Sequence, residues 1–392
     1  MVKSRSVFKA MLLTQFLLVR MFTFAPRASV GEASGSNTLA FQKGMSYATY
    51  ANMTPDAYGS PESDESLRRM RQIGVEWVAI NVVGWYQTNI QSADIHRNPN
   101  QAPNDTALAH VIQTARNLGM KVMLKPMIDL EDGHWRGEIR LSEPWFQNYS
   151  SYINLFAGFA QQQNVEMFCV GTEYKSTTSW APQWRGIISG VRSRFHGNIT
   201  YAASWDEFSS ISWWNDLDYV GIDAYFPLSN RNDPSIVEMK TIWENVAGFL
   251  ESFYQKVEKP IIFSEIGYLS TDGTNKDPSN YKLQEIPGRL IDLQEQADCY
   301  EATFETLWNQ TWLYGFYWWY WQTNPNAGGS NNSDYTPQNK PAQGVITHWY
   351  SLNWYSVFDH VEYTVWGFSL VAVVEAAIIG VLWKRRKTVP KG

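Results

Sequence analysis

The sequence predicts an α/β protein, a (β/α)8 TIM barrel followed by a single C-terminal transmembrane helix. Eight short apolar runs are spaced along the chain, and the stretches between them carry helical punctuation. Roughly 330 residues separate the two apolar terminal segments, which suits one such barrel with insertions. In order, the runs are Lys43-Gly-Met-Ser-Tyr47, Trp77-Val-Ala-Ile-Asn81, Lys121-Val-Met-Leu-Lys125, Glu166-Met-Phe-Cys-Val170, Ile199-Thr-Tyr-Ala-Ala203, Leu217-Asp-Tyr-Val-Gly-Ile222, Pro260-Ile-Ile-Phe263 and Tyr314-Gly-Phe-Tyr-Trp318. Between the first two, residues 63–74 open on acidic side chains and close on Gly74, and residues 104–119 repeat the device with Gly119. Strand, helix, glycine, strand is β/α grammar. An open doubly wound sheet is the structural alternative, but if it held a nucleotide it would carry a glycine-rich turn after its first strand, and none follows Tyr47.

The termini set the expected compartment. Residues 1–33 read as a signal peptide: Lys3, Arg5 and Lys9 precede the apolar run Ala10 to Val19, and small residues follow near Ala28 to Ala33. Arg20 interrupts that run and leaves an uncleaved anchor open. Tyr363 to Trp383 holds a single charge, Glu375, and at about 1.5 Å per residue spans roughly 30 Å of hydrocarbon. Lys384-Arg-Arg-Lys387 follows, and the positive-inside rule puts that cluster in the cytosol. The expected organisation is a signal peptide over 1–33, the barrel over 34–355, a juxtamembrane linker over 356–362, a transmembrane helix over 363–383 and a short cytoplasmic tail over 384–392. This describes a single-pass type I membrane protein with its body extracellular or lumenal; a buried C-terminal helix is the alternative. Asn-x-Ser/Thr triplets at Asn52, Asn104, Asn148, Asn198, Asn309 and Asn331 are compatible with a glycoprotein in that space.

Composition excludes several classes. With 32 Lys+Arg against 38 Asp+Glu, a net charge of −6 and no basic blocks in the body, the chain lacks a footprint for nucleic acid. Two Cys rule out a disulfide scaffold, Cys169 in its apolar run is expected as a buried free thiol, and with 6 His no zinc-like spacing arises. No metal or organic cofactor is expected. Aromatic residues reach 15% of the chain, with 19 Trp, which suggests a ligand with flat apolar faces. Core packing is expected of about half of the Trp, and Trp349, Trp354, Trp366 and Trp383 read as linker or membrane-interface residues.

In a β/α barrel, chemistry collects where the strands end. Glu173 closes the fourth run in Cys169-Val-Gly-Thr-Glu173, and Glu265 closes the seventh in Ile261-Ile-Phe-Ser-Glu265. A lone Glu there would be an ion-paired rim residue. Two, both ending apolar strands and facing one mouth, meet the requirement of glycoside hydrolysis, in which one carboxyl protonates the leaving oxygen and the other attacks the anomeric carbon or activates water.

Lys43-Gly-Met-Ser-Tyr47, Leu124-Lys-Pro126, Trp135-Arg-Gly137, Gly171-Thr-Glu173, Gly221-Ile-Asp-Ala-Tyr225, Ser264-Glu-Ile-Gly267 and the Trp-rich eighth strand occur in that order. On these pieces, from about Phe41 to Tyr350, the chain resembles clan A retaining glycoside hydrolases and looks most like family 113, whose known members are β-mannanases. The resemblance implies Glu173 as acid/base, Glu265 as nucleophile and a substrate of β-1,4-mannan or mannooligosaccharides. It also implies that Tyr225 hydrogen-bonds the nucleophile, with a packed aromatic as the alternative. Where many clan members place Asn before the acid/base, this chain has Thr172, which leaves recognition of the sugar 2-hydroxyl unassigned.

Further strand ends are candidate substrate contacts. Lys125 would tune the carboxylates, bind a hydroxyl or form a structural ion pair. Asn81 and Ser204 are candidate hydroxyl binders, and Asp223 faces either the interior or the outer side. Trp85, Trp135 and Trp205, after strands two, three and five, are candidate sugar platforms, as are Trp319 and Trp321 in Tyr317-Trp-Trp-Tyr-Trp321. Period two would turn Tyr317, Trp319 and Trp321 one way and Trp318 and Tyr320 the other. The expected activity is thus hydrolysis of a β-linked oligo- or polysaccharide. An inactive carbohydrate-binding or adhesion receptor on the same barrel, a transglycosylase and a hydrolase of another β-glycan are the alternatives.

Overall fold

The computed structural model describes residues 40–140 and 142–354. Eight parallel strands form a ring: β1 (Gln42–Ala48), β2 (Trp77–Gln87), β3 (Lys121–Leu130), β4 (Met167–Thr172), β5 (Asn198–Ser204), β6 (Val220–Asp223), β7 (Ile261–Ile266) and β8 (Leu313–Gln322). Each pairs with its neighbours in sequence order, and β1 pairs with both β2 and β8, which closes the barrel. All eight runs become strands, so the expected (β/α)8 barrel is the fold observed. A two-residue strand, His96–Arg97, adds antiparallel to β2 outside the ring.

Helices α1 (Pro61–Gln72), α2 (Asp105–Asn117), α3 (Glu143–Gln162), α4 (Ala181–Arg192), α5 (Ile236–Val257), α6 (Leu293–Leu307) and α7 (Pro341–Ser351) wrap the ring. Ser60 and Asn104 cap the first two by accepting from the backbone N–H three residues on, and Gly74 and Gly119 follow them in the left-handed region. The β/α alternation fails once. Between β5 and β6 stand only two 3-10 turns, Phe208–Ser210 and Trp214–Asp216. The buried indoles of Trp213 and Trp214 fill the layer a helix would have filled, and Trp213 stacks on Trp184 of α4 with ring centroids 5.1 Å apart.

Two cores result. Inside the ring lie Trp77, Ala79, Met123, Met167, Cys169, Ala202, Tyr219, Ile262 and Tyr317. A much larger aromatic and aliphatic cluster fills the space between ring and helices. Cys169 is a buried free thiol, as its apolar run implies, and Cys299 is another. Trp349 and Trp354 were expected as linker or membrane-interface residues, but they belong to the outer core. Trp349 on α7 stacks on Phe304 at 5.5 Å, and Trp354 donates its indole N–H to the Trp308 carbonyl at 2.8 Å. Their apolar area is buried against α6, which a free linker would not provide. Among the described residues no helix is long and apolar enough to cross a membrane. The segments 1–33, 356–362, 363–383 and 384–392 expected as leader, linker, span and tail lie outside the described residues.

Period two does not run uninterrupted along the strands. Bulges in β2, β4, β7 and β8 each insert one residue, and beyond each the side chains change face. On β7, Ile222 pairs with Phe263 but Asp223 with Glu265, so Ser264 is the extra residue and Glu265 turns inward beside it. Gly221 sits where β6 touches β5: a Cβ there would lie 2.4 Å from the Tyr201 carbonyl and 2.7 Å from the Thr200 hydroxyl.

Gly221→Ala is therefore expected to destabilise the fold by about 1–3 kcal/mol, the usual range for overpacking. Gly158→Ala, inside α3 with nothing within 4 Å of its would-be Cβ, is expected to stabilise by about 0.5–1 kcal/mol. Denaturant midpoints of the two variants measure the contrast.

Candidate active site

Glu265 lies in the interior at the C-terminal end of β7, and both its oxygens accept strong hydrogen bonds. The ammonium of Lys125, which has no exposure, donates to Oε1, and the Tyr225 hydroxyl donates to Oε2 at 2.8 Å. Asp223, equally enclosed, stands 3.5 Å from the same ammonium and accepts from the Ser264 hydroxyl at 2.8 Å. Burial pushes the Asp223 carboxyl well above its ordinary range, and the charge of Glu265 adds to that, while Lys125 only partly offsets them. Burial alone would pull Lys125 down, yet Asp223 and Glu265 hold its pKa above the ordinary lysine value. Within the trio Lys125 is bonded directly to Glu265, and Asp223 stands one step further from the ammonium. Tyr225 stays a phenol, because burial and the neighbouring Glu265 raise its pKa. An ammonium and a phenol donating to one carboxylate make an anion's environment.

Glu173 follows β4 in a left-handed conformation, φ 54°. Its Oε2 accepts the indole N–H of Trp135 at 3.1 Å, and the Arg136 guanidinium stands 3.9 Å away. That guanidinium is bound instead to Asp129, which also accepts from the Tyr50 hydroxyl at 3.1 Å. Burial first, and then the charge of Glu265, raise the pKa of Glu173, with Arg136 and the Trp135 N–H acting against them. One carboxylate is thus surrounded by donors that favour charge, and the other is poised to keep a proton. Two nearby carboxyls in such unlike settings can act as anion and as acid in one reaction.

An aromatic rim surrounds the pair. Ala48, Tyr225, Leu269, Leu283, Tyr320 and Tyr335 pack together, with Tyr50, Trp205 and Trp319 partly exposed against them. Trp319 lies 5.9 Å from Tyr50, centroid to centroid, and Trp135 is 39% exposed above Glu173. The structure thus brings Trp135, Trp205, Trp319, Tyr225 and Lys125 to the mouth with both glutamates. Ser204 ends β5 and donates to Asp206 at 2.9 Å. Asn81 is fully buried, with its amide nitrogen spent on the Tyr47 and Ala79 carbonyls and its Oδ1 without a hydrogen-bond partner.

Two expected platforms are elsewhere. Trp85 packs outward on Tyr152 and Phe156 of α3, because the bulge at Val83 and Gly84, with φ 82° at Gly84, reverses the face of β2. Trp321 is buried and donates its N–H to Ser66 of α1 at 2.8 Å. On β8 the pairing passes from Met45–Trp318 to Tyr47–Trp321, and the extra residue lets both Trp319 and Tyr320 face the mouth; the peptide joining them is cis. Sequence reasoning missed Asp129 and Tyr50 altogether. Arg136 appeared only inside a matching motif, and one signal was available for it: a basic residue one position after a candidate platform Trp.

A sequence profile of Glycoside Hydrolase Family 113 matches residues 45–340. A β-1,4-mannanase of that family is 27% identical, with a TM-score of 0.72 over 80% of this chain and 100% of its own. The family 113 β-mannanase of Alicyclobacillus acidocaldarius, solved with ManMIm, is 28% identical, with the same TM-score over 80% of this chain and 98% of its own. A β-glucuronidase from Ruminococcus gnavus, 12% identical with a TM-score of 0.55 over 79% of this chain and 50% of its own, shares the fold. No curated protein sequence matches the chain. The chain belongs to glycoside hydrolase family 113 and is a glycosidase.

The electrostatics of Glu173 can be tested without reference to turnover. Asp129→Asn frees the full charge of Arg136 to act on Glu173 and is expected to lower its pKa, whereas Arg136→Gln removes that charge and is expected to raise it. Infrared difference titration of the carboxyl band, referenced to Glu173→Gln, measures both shifts.

Proposed function

We propose that this member of glycoside hydrolase family 113 cleaves β-1,4-linked mannan or mannooligosaccharides with retention of configuration, Glu265 acting as nucleophile and Glu173 as acid/base. The unequal surroundings of the two carboxyls carry the reading: Lys125 and Tyr225 both donate to Glu265, while burial raises the pKa of Glu173. Mannan as the substrate rests on the β-mannanases to which the chain is similar.

In the first step Glu173 gives its proton to the glycosidic oxygen as a Glu265 oxygen attacks the anomeric carbon. The carbon–oxygen bond to the leaving sugar breaks and a glycosyl ester forms. As the negative charge on Glu265 is consumed, Lys125 and Tyr225 lose an anionic partner, and they regain it when the ester is cleaved. Glu173, now ionised, takes a proton from water whose oxygen attacks the same carbon and releases Glu265. The half-buried Trp319 and the exposed Trp135 offer apolar faces to pyranose rings. We also propose that residues 363–383 anchor this domain to a membrane outside the cytosol. Truncation before Tyr363 is then expected to release an N-glycosylated protein into the medium, and an unglycosylated cytosolic product would refute the anchor.

The two carboxyls fail differently when removed. Glu265→Ala is expected to abolish turnover on every substrate. Glu173→Ala is expected to lose about 10²–10⁴-fold on mannooligosaccharides, the usual contribution of a general acid or base. On a dinitrophenyl β-mannobioside, whose leaving group needs no proton, it is expected to form the ester and stall. Azide then releases it as the β-glycosyl azide, identified by proton NMR. Wild-type behaviour of Glu173→Ala on both substrates would move the acid/base elsewhere, and an α-configured initial product from the wild type would exclude retention.

A further inference from the structure

A left-handed backbone at a non-glycine residue persists only where its surroundings over-determine it, and Glu173 is such a residue, φ 54°. Three sets of contacts hold its turn. The Glu173 N–H donates to the Ala202 carbonyl at 2.8 Å. The Tyr174 carbonyl accepts from the backbone and the hydroxyl of Thr177 at 2.8 and 2.7 Å. The Tyr174 N–H donates to a side chain, the Tyr201 hydroxyl, at 2.8 Å.

That last contact depends on a further residue. The Tyr201 ring packs edge-on against the stacked pair of Trp184 and Trp213, at 5.2 and 5.1 Å, so its hydroxyl hydrogen is the part left to orient. It points to Glu207 Oε1 at 3.3 Å. The other oxygen of Glu207 accepts from the Ser204 N–H at 3.3 Å, and the Glu207 N–H returns to the Ser204 carbonyl at 2.9 Å. An acceptor at Oε1 fixes the hydroxyl hydrogen on its own side and leaves an oxygen lone pair facing the Tyr174 N–H. Glu207 is only 2% exposed and stands in no ion pair among the described residues. Burial pushes its pKa up to about 7.

We infer that Glu207 is a positioning residue, which through Tyr201 fixes the peptide after Glu173 and so aims the Glu173 carboxyl at the leaving oxygen. The inference rests on Glu173 being the acid/base. Glu207 touches no substrate; it ties the turn after β4 to the turn after β5.

The test uses the full protein and two substrates, mannotetraose and a dinitrophenyl β-mannobioside, scored by kcat/KM. Glu207→Leu removes the acceptor and Tyr201→Phe removes the hydroxyl. Each is expected to lose about tenfold or more on mannotetraose, part of what a general acid supplies, and far less on the activated substrate. Glu207→Gln, which retains an acceptor oxygen, is expected to recover part of the loss. Equal loss on both substrates, or none, would mean a purely structural role and overturn the inference. Should Glu207→Leu fail to fold, Tyr201→Phe carries the same comparison. Glu173→Gln is the reference. If it shows no dependence on the leaving group, the acid/base assignment fails and takes this inference with it. If it shows that dependence while the Glu207 and Tyr201 variants do not, the inference alone fails.

Discussion

An ammonium group with no exposure to water, that of Lys125, organises the barrel's interior. A buried charge is tolerated only when paired and hydrogen-bonded, so strands β3, β6 and β7 must bring Lys125, Asp223 and Glu265 together. The same constraint explains local features that look unrelated. Ser264 is the extra residue of a bulge, it turns Glu265 inward, and its own hydroxyl reaches Asp223. Gly221 lets β6 approach β5 closely two residues before Asp223. Replacing Lys125 or Glu265 would leave an uncompensated charge in an apolar ring, whose cost exceeds that of a broken surface pair.

The two carboxyls are supported in different ways. Glu265 is part of a strand, and its donors come from Lys125 on β3, reaching through the barrel interior, and from Tyr225 just past the end of β6. Glu173 stands beyond its strand, and its setting comes from loops: Trp135 and Arg136 after β3, and the turn tied to Tyr201. Glu265 keeps a fixed place in a packed sheet, while the surroundings of Glu173 sit on segments that can vary without disturbing the ring. The proton affinity of Glu173 is accordingly set by a compromise. Burial and Glu265 raise it and Arg136 lowers it, and Asp129 draws Arg136 away.

Much of this was legible in the chain. The eight apolar runs became the eight strands, because burial on both faces of a parallel strand leaves a continuous apolar signature. The carboxylates at the ends of the fourth and seventh runs, the lysine ending the third and Tyr225 after the sixth met at one mouth, because strand ends in a parallel barrel share one face. Trp85 and Trp321 were misplaced because period two was carried through bulges that pairing with a neighbouring strand creates. Asp129, Tyr50 and Glu207 gave no signal. Each is an ordinary residue near a strand end, and each matters only through contacts the fold assembles: Tyr50 beside Asp129, and Glu207 through Tyr201 to the turn after β4.

The sequence by itself determined which residues face which layer over each regular stretch, and therefore the fold, the placing of both glutamates at strand ends and the family. These depend on local periodicity and on the polarity of strand ends, which the linear chain carries. Only the tertiary structure decided which aromatic rings reach the mouth, that Lys125 binds Glu265 while Asp223 stands by, and that Arg136 is shared between Asp129 and Glu173. Those outcomes turn on bulges, on loop paths and on the desolvation of charges. All three are set by contacts between residues tens to hundreds of positions apart.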